Sequence, residues 1–159
     1  KKKYGSDIPE IKIISTRLKD IGGLYKAADA FVLMTASEGW GIPYLEALAV
    51  GLPVIAPRHG GQLEFLNDKN SILTKCGTRL VRPQECYNGG NYPNATVGNP
   101  DEIDFGDKMR NLFENFGKEE WADVYGNMRD EALKTATKLT WTNAASQIID
   151  LATQHIAGR

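Results

Sequence analysis

Apolar positions fall into short continuous runs over the first half of the chain and into helical spacing over the second. Ile11-Lys12-Ile13-Ile14-Ser15 alternates weakly and is β-branched, which predicts a short strand. Asp20 stands where it can cap a helix through Leu24-Tyr25-Lys26-Ala27-Ala28. Phe31-Val32-Leu33-Met34 is an unbroken apolar run, as expected of a strand covered on both faces. A loop from Thr35 to Gly41 follows it. Pro43 suits the first turn of the next helix, where no amide is needed, and Gly51 ends that helix. Pro53-Val54-Ile55-Ala56 predicts a second buried strand with its proline at the start. Gly60-Gly61 then opens a short helix, Gln62 to Leu66, and Asn70-Ser71-Ile72-Leu73 predicts a further strand.

The pattern changes after Lys75. Residues 76–100 have no period and many turn formers, notably around Cys86-Tyr87-Asn88-Gly89-Gly90-Asn91, and are expected to be a long loop or insertion. Helical spacing then returns. Met109, Leu112, Phe113 and Phe116 recur on one face, as do Trp121, Val124, Tyr125 and Met128, and again Ala145, Ile148, Ile149 and Ala152. All three sets are expected in the core. Strand–helix alternation followed by a helical tail means an α/β fold with a mostly parallel sheet. In such sheets ligands sit at the C-terminal ends of strands, which directs attention to the loop from Thr35 to Gly41.

Composition narrows the classes without choosing one. The chain has 159 residues, 42% apolar and 25% charged, enough for a real core and too ordinary for disorder. A formal charge of −1 gives no global pull toward nucleic acid or membrane. Two cysteines, Cys76 and Cys86, are too few for a disulfide scaffold and read as free thiols of a cytoplasmic protein.

The candidate chemistry lies in Glu38-Gly39-Trp40-Gly41-Ile42-Pro43-Tyr44-Leu45-Glu46. A carboxylate beside the apolar run Ala47-Leu48-Ala49-Val50 is expensive to desolvate unless something pairs with it. Glu46 therefore meets either a structural partner or a hydroxyl-rich ligand. Gly39 and Gly41 allow close backbone approach, and amides at Gly41, Ile42 and Tyr44 open a helix whose positive end favours an anion. Two acceptors flanking an amide-lined turn suit a ligand with an anionic middle and hydroxyls at both ends. A nucleotide sugar has that shape.

The stretch from Glu38 to Glu46 resembles the Glu-x7-Glu signature of family four of the retaining GT-B glycosyltransferases, the glycosyl transferases group 1. Leu24 to Val32, Glu46 to Ala56, Gly60-Gly61-Gln62-Leu63-Glu64 and Leu139-Thr140-Trp141-Thr142 are similar to further family segments in the same order. The resemblance implies a partial Rossmann-like three-layer domain, the C-terminal half of a GT-B enzyme, holding a nucleotide-diphosphate sugar. It implies Glu38 as the catalytic residue on the donor-sugar side and Glu46 on the ribose hydroxyls. Gly39, Trp40, Gly41 and Ile42 are implied in sugar and diphosphate binding. Retention of anomeric configuration follows, with no cofactor and no metal.

The chain also departs from the family pattern. No Arg-Lys pair precedes Ile11, and an acceptor-binding half is absent, so the chain reads as the distal part of a donor domain, inactive alone. An open sheet edge beside Phe31–Met34 is expected to invite self-association. The reading places the protein in the cytoplasm, with membrane-peripheral attachment of the full-length parent left open. Sugar, base and acceptor stay undetermined. A non-catalytic nucleotide-sugar or carbohydrate binding module of the same fold is the alternative. An epimerase or phosphorylase of related fold is disfavoured by the Glu-x7-Glu spacing. A dinucleotide oxidoreductase is disfavoured because Gly39-x-Gly41 lacks the third glycine.

Overall fold

A computed structural model describes residues 10–85, 92 and 94–157. Three strands form the main sheet in the order β1-β2-β3: β1 (Phe31–Val32), β2 (Val54–Pro57) and β3 (Ile72–Thr74). All pairs are parallel, with Phe31 opposite Val54 and Ile55 opposite Ile72. Helix α1 (Ile21–Lys26) precedes β1, and α2 (Ile42–Ala49) links β1 to β2. A single 3-10 turn, Gly61–Glu64, lies between β2 and β3.

Alternation along β2 sends its side chains into two separate cores. Val54 and Ala56 join Tyr25, Tyr44, Leu48, Leu52, Phe65 and Ala132 on one face. Ile55 meets Phe105 and Leu112 on the other. Phe105 and Leu112 belong to α3 (Glu102–Asn115), while Ala132 belongs to α4 (Ala122–Lys138), which lies against α2. Helices thus cover both faces of the sheet, in three layers. All four residues of β2 are buried, as a central parallel strand requires. The fold is α/β, as expected.

The predicted punctuation is found. Asp20 caps α1 by accepting from the Gly23 amide at 3.0 Å. Pro43 lies in the first turn of α2, and Gly51, at φ 74°, ends it in the left-handed conformation. Asp101 caps α3, and Glu102 and Asp104 place negative charge at its positive end. Asn70 ties α4 to the preceding turn, its amide donating to the Phe65 carbonyl at 2.8 Å and to the Thr135 hydroxyl at 3.0 Å.

Four expectations need correction. Ile11–Ser15 forms no strand, and Ile11 and Ile13 are 76% and 88% exposed. A β-branched run needs a backbone partner, and none reaches it among the described residues. The run Phe31–Met34 is not covered on both faces. Phe31 and Leu33 pack on the core, whereas Val32 and Met34 point away from it and are exposed.

Residues 76–100 are not a loop throughout. Strands β4 (Cys76–Leu80) and β5 (Thr96–Pro100) form an antiparallel ribbon, with Cys76 opposite Pro100 and Leu80 opposite Thr96. Its turn formers concentrate at 86–91, which with residue 93 lie outside the described residues, Cys86 included. Where β4 ends, the Arg79 guanidinium grips Glu85 through two 2.7 Å hydrogen bonds. Those bonds hold the Glu85 carboxyl down at about 2.

The helical tail is only partly core. Leu112 is buried, Trp121, Tyr125 and Met128 are half-buried, but Met109, Phe113, Phe116 and Val124 are exposed. Helix α5 (Trp141–Ala157) is amphipathic, yet Ala145, Ile148, Ile149 and Ala152 are all exposed. Periodicity reports an apolar face; it does not guarantee a neighbour to cover it.

Candidate functional site

The loop after β1 carries Glu38, and α2 carries Glu46. What holds this loop is a set of backbone contacts that only glycine permits. Gly41 caps α2 at φ 92° and ψ 49°. A Cβ there would stand 2.6 Å from Cδ2 of the Tyr44 ring and 3.1 Å from Gln62 Cβ. The Gly61 amide donates to the Glu38 carbonyl at 3.0 Å. A Cβ on Gly61 would fall 1.9 Å from the Gly39 carbonyl oxygen. The loops leaving β1 and β2 are therefore in direct main-chain contact, which accounts for the paired glycines at 60 and 61.

Tyr44 fastens the helix to the end of the strand. It is fully buried, and its hydroxyl donates to the Leu33 carbonyl at 2.8 Å. The Thr35 hydroxyl lies 3.2 Å away and donates to the phenol oxygen. Burial pushes the Tyr44 phenol up, the Thr35 hydrogen bond opposes this, and the negative charge of Glu38 adds to it. The Glu38 carboxylate thus lies within electrostatic reach of Tyr44.

Glu46 has a structural partner, but not a cation. The Tyr25 hydroxyl donates to Glu46 Oε2 at 2.9 Å. Burial, that hydrogen bond and the charge of Glu46 push the Tyr25 phenol up to about 12. Neither Glu38 nor Glu46 enters a salt bridge among the described residues. Both stay available as acceptors.

The amides of Gly41 and Ile42 donate to no protein acceptor among the described residues. That of Tyr44 is spent on the Gly41 carbonyl at 3.0 Å, so two amides rather than three open the helix. Trp40 is 42% exposed, with its ring 5.4 Å from that of buried Phe65. Gln62 is wholly buried, its Nε2 donating to the Pro57 carbonyl at 3.2 Å while Oε1 has no partner among the described residues.

Other candidates lie apart. Glu64 is exposed, and Arg58 is paired with Asp68. His59 is half-buried, beside Gly98 of the ribbon. Cys76 is a free thiol. A cleft of about 710 Å³ between the ribbon and α3 is lined by Arg58, Lys75, Cys76, Asp101, Asp104 and Lys108. Neither glutamate reaches it, and its carboxylates are occupied: Asp101 caps α3, and Asp104 accepts from the Lys75 amide at 2.8 Å. No group of three or more metal-binding side chains occurs among the described residues, and no helix there is long and apolar enough to cross a membrane.

Sequence reasoning missed the two tyrosines and the ribbon. Tyr44 stands inside the motif between the two glutamates and could have been singled out. The Tyr25–Glu46 bond spans 21 positions and has no local signal.

The family model described as glycosyl transferases group 1 matches residues 10–81, a span that contains both glutamates and the Gly60-Gly61 pair. Residues 10–81 thus resemble a group 1 glycosyltransferase segment. The chain is 25% identical over 144 residues to D-inositol 3-phosphate glycosyltransferase of Corynebacterium urealyticum, covering 84% of this chain and 25% of that one. It is 39% identical over 97 residues to alpha-monoglucosyldiacylglycerol synthase of Streptococcus pneumoniae, covering 59% of this chain and 20% of that one. The chain thus spans about a quarter of the length of the curated glycosyltransferases it matches. Among solved structures, Anabaena HepE in complex with UDP superposes with a TM-score of 0.59 at 19% identity, covering 86% of this chain and 30% of that one. The similarity to HepE extends the glycosyltransferase fold beyond the matched segment into the helical tail.

Proposed function

We propose that this chain is the donor-binding part of a retaining glycosyltransferase that uses a nucleotide-diphosphate sugar. One observation carries the reading: among the described residues, two carboxylates without cationic partners flank a glycine turn with two unspent amides, at the C-terminal end of a parallel strand. On this reading Glu38 is the catalytic residue, accepting from donor-sugar hydroxyls at the reacting face. Gly39, Trp40, Gly41 and Ile42 line the sugar and diphosphate. Glu46 takes the ribose hydroxyls with its second oxygen and remaining lone pairs. The positive end of α2 and its free amides stabilise the leaving diphosphate, so no metal is required. The group 1 match over both glutamates and the UDP held by HepE support the assignment.

Saturation-transfer NMR of this chain with uridine, guanosine and adenosine diphosphate sugars tests it. The expected result is transfer to the ribose and hexose protons of donors carrying one base. Transfer to none of them would overturn the reading. Binding without any sugar transfer by the longer polypeptide would favour a non-catalytic module.

A further inference from the structure

Tyr25 is 9% exposed and its hydroxyl donates to one oxygen of Glu46 at 2.9 Å. Its ring is held in place, 5.6 Å from Phe31 and tilted, while Phe31 meets Tyr44 edge-on at 5.7 Å. The three rings run from α1 across β1 to α2. We infer that Tyr25 is a positioning residue that locks the Glu46 carboxylate in a fixed plane for bidentate capture of the ribose diol, and so sets discrimination between ribo- and 2′-deoxyribonucleotides. The inference rests on the donor-site reading above.

The chemistry favours a phenol in this position. A lysine or arginine would neutralise Glu46 and compete with an incoming hydroxyl for its lone pairs. A neutral donor fixes the carboxylate yet leaves its charge intact. With a pKa of about 12, the phenol keeps its proton throughout the neutral range, so the donor is always present. One lone pair on Oε2 is used, and among the described residues nothing else occupies Oε1 or the rest of Oε2. Adjacent ribose hydroxyls need two acceptors at a set angle, whereas a single hydroxyl is satisfied by a carboxylate in many orientations.

The test compares the unaltered chain, Tyr25→Phe and Glu46→Gln by calorimetric titration with UDP, GDP and ADP and their 2′-deoxy counterparts. For the ribonucleotide that binds, Tyr25→Phe is expected to weaken affinity about tenfold, the scale of one hydrogen bond to a charged group. Its 2′-deoxy counterpart is expected to change less than about twofold, so that discrimination collapses. Equal weakening of both, or of neither, overturns the inference. An unchanged Glu46→Gln, or no binding by the unaltered chain, removes the donor-site reading and this inference with it. Should Tyr25→Phe fail to fold, the Tyr25 ring carbon bearing the hydroxyl is followed by NMR in the unaltered chain. It is expected to shift with the ribonucleotide and not with the 2′-deoxy form, and equal shifts contradict the inference.

Discussion

The Gly98 amide of the ribbon donates to the carbonyl of Ala36 at 2.7 Å. Ala36 lies in the loop that carries Glu38, and Gly61 holds the carbonyl of Glu38 itself. The catalytic candidate is therefore suspended between two backbone anchors, one from β5 and one from the turn after β2. A Cβ at Gly98 would stand 2.6 Å from the His59 ring and 3.0 Å from both the Ala36 carbonyl oxygen and Cys76 Sγ. Gly98→Val is expected to lift the ribbon from the loop and destabilise the chain by about 1–3 kcal/mol, the cost of overpacking. Urea unfolding measures this, and a midpoint equal to that of the unaltered chain would show that the ribbon does not brace the loop.

Two glycines of the same loop region should respond differently. Gly61→Ala puts a methyl 1.9 Å from a carbonyl oxygen, so main chain must move, whereas a Cβ at Gly39 meets nothing within 4 Å. Gly61→Ala is expected to cost more than about 2 kcal/mol, and Gly39→Ala to stay within about 0.5 kcal/mol. Because Gly39 is proposed to face the ligand, its alanine variant should lose nucleotide-sugar affinity while keeping the thermal midpoint. Equal stability losses at both positions would contradict the backbone contact.

Alkaline pH reads the Tyr25–Glu46 contact. The phenol rises from 10.0 to about 12, chiefly through burial and then through Glu46. A group whose pKa is raised by folding contributes stability that is complete below its unfolded value and lost as pH climbs through the folded one. Stability should accordingly fall between about pH 10 and pH 12, and fall less in Tyr25→Phe. Absorbance at the tyrosinate band should titrate Tyr25 near the upper limit. In Glu46→Gln the midpoint should drop but stay above the ordinary tyrosine value, because burial persists. A midpoint unmoved by that substitution would show that the hydrogen bond is not made.

The open side of β1 predicts self-association. Phe31 donates to the Pro53 carbonyl just before β2 and Leu33 to that of Ile55 within it, which leaves the amide and carbonyl of Val32 directed to the edge where no strand pairs among the described residues. Val32 and Met34 add exposed apolar surface beside it. Sedimentation should show a concentration-dependent dimer that Val32→Lys abolishes. A monomer at high concentration would refute the edge pairing.

Legibility followed the range of the interactions involved. Pro43 and Gly51 bounded α2 because caps and breakers act within one turn, and Val54–Ala56 announced a buried strand by composition alone. Both glutamates were visible because their spacing is a property of one loop and one helix. The ribbon was not, since Thr96 to Pro100 pairs with Cys76 to Leu80 across a long connection, and the glycines at 77 and 98 weakened the strand signal. Ile11–Ser15 and α5 failed for the opposite reason. Their patterns were genuine, but a strand needs a neighbour and an apolar face needs a cover, and neither need is written in the segment itself. The Tyr25–Glu46 bond depends on α1 and α2 packing side by side, which only the fold decides.

The most direct measurement is the affinity of this chain for the nucleotide-sugar it prefers, before and after Glu46→Ala, with Glu64→Ala as an exposed control on the neighbouring turn. The account predicts a loss of about a hundredfold for Glu46→Ala, the scale of two hydrogen bonds to a charged group, with no change for Glu64→Ala. Undiminished affinity in a folded Glu46→Ala chain would contradict the claim that this helix holds the donor.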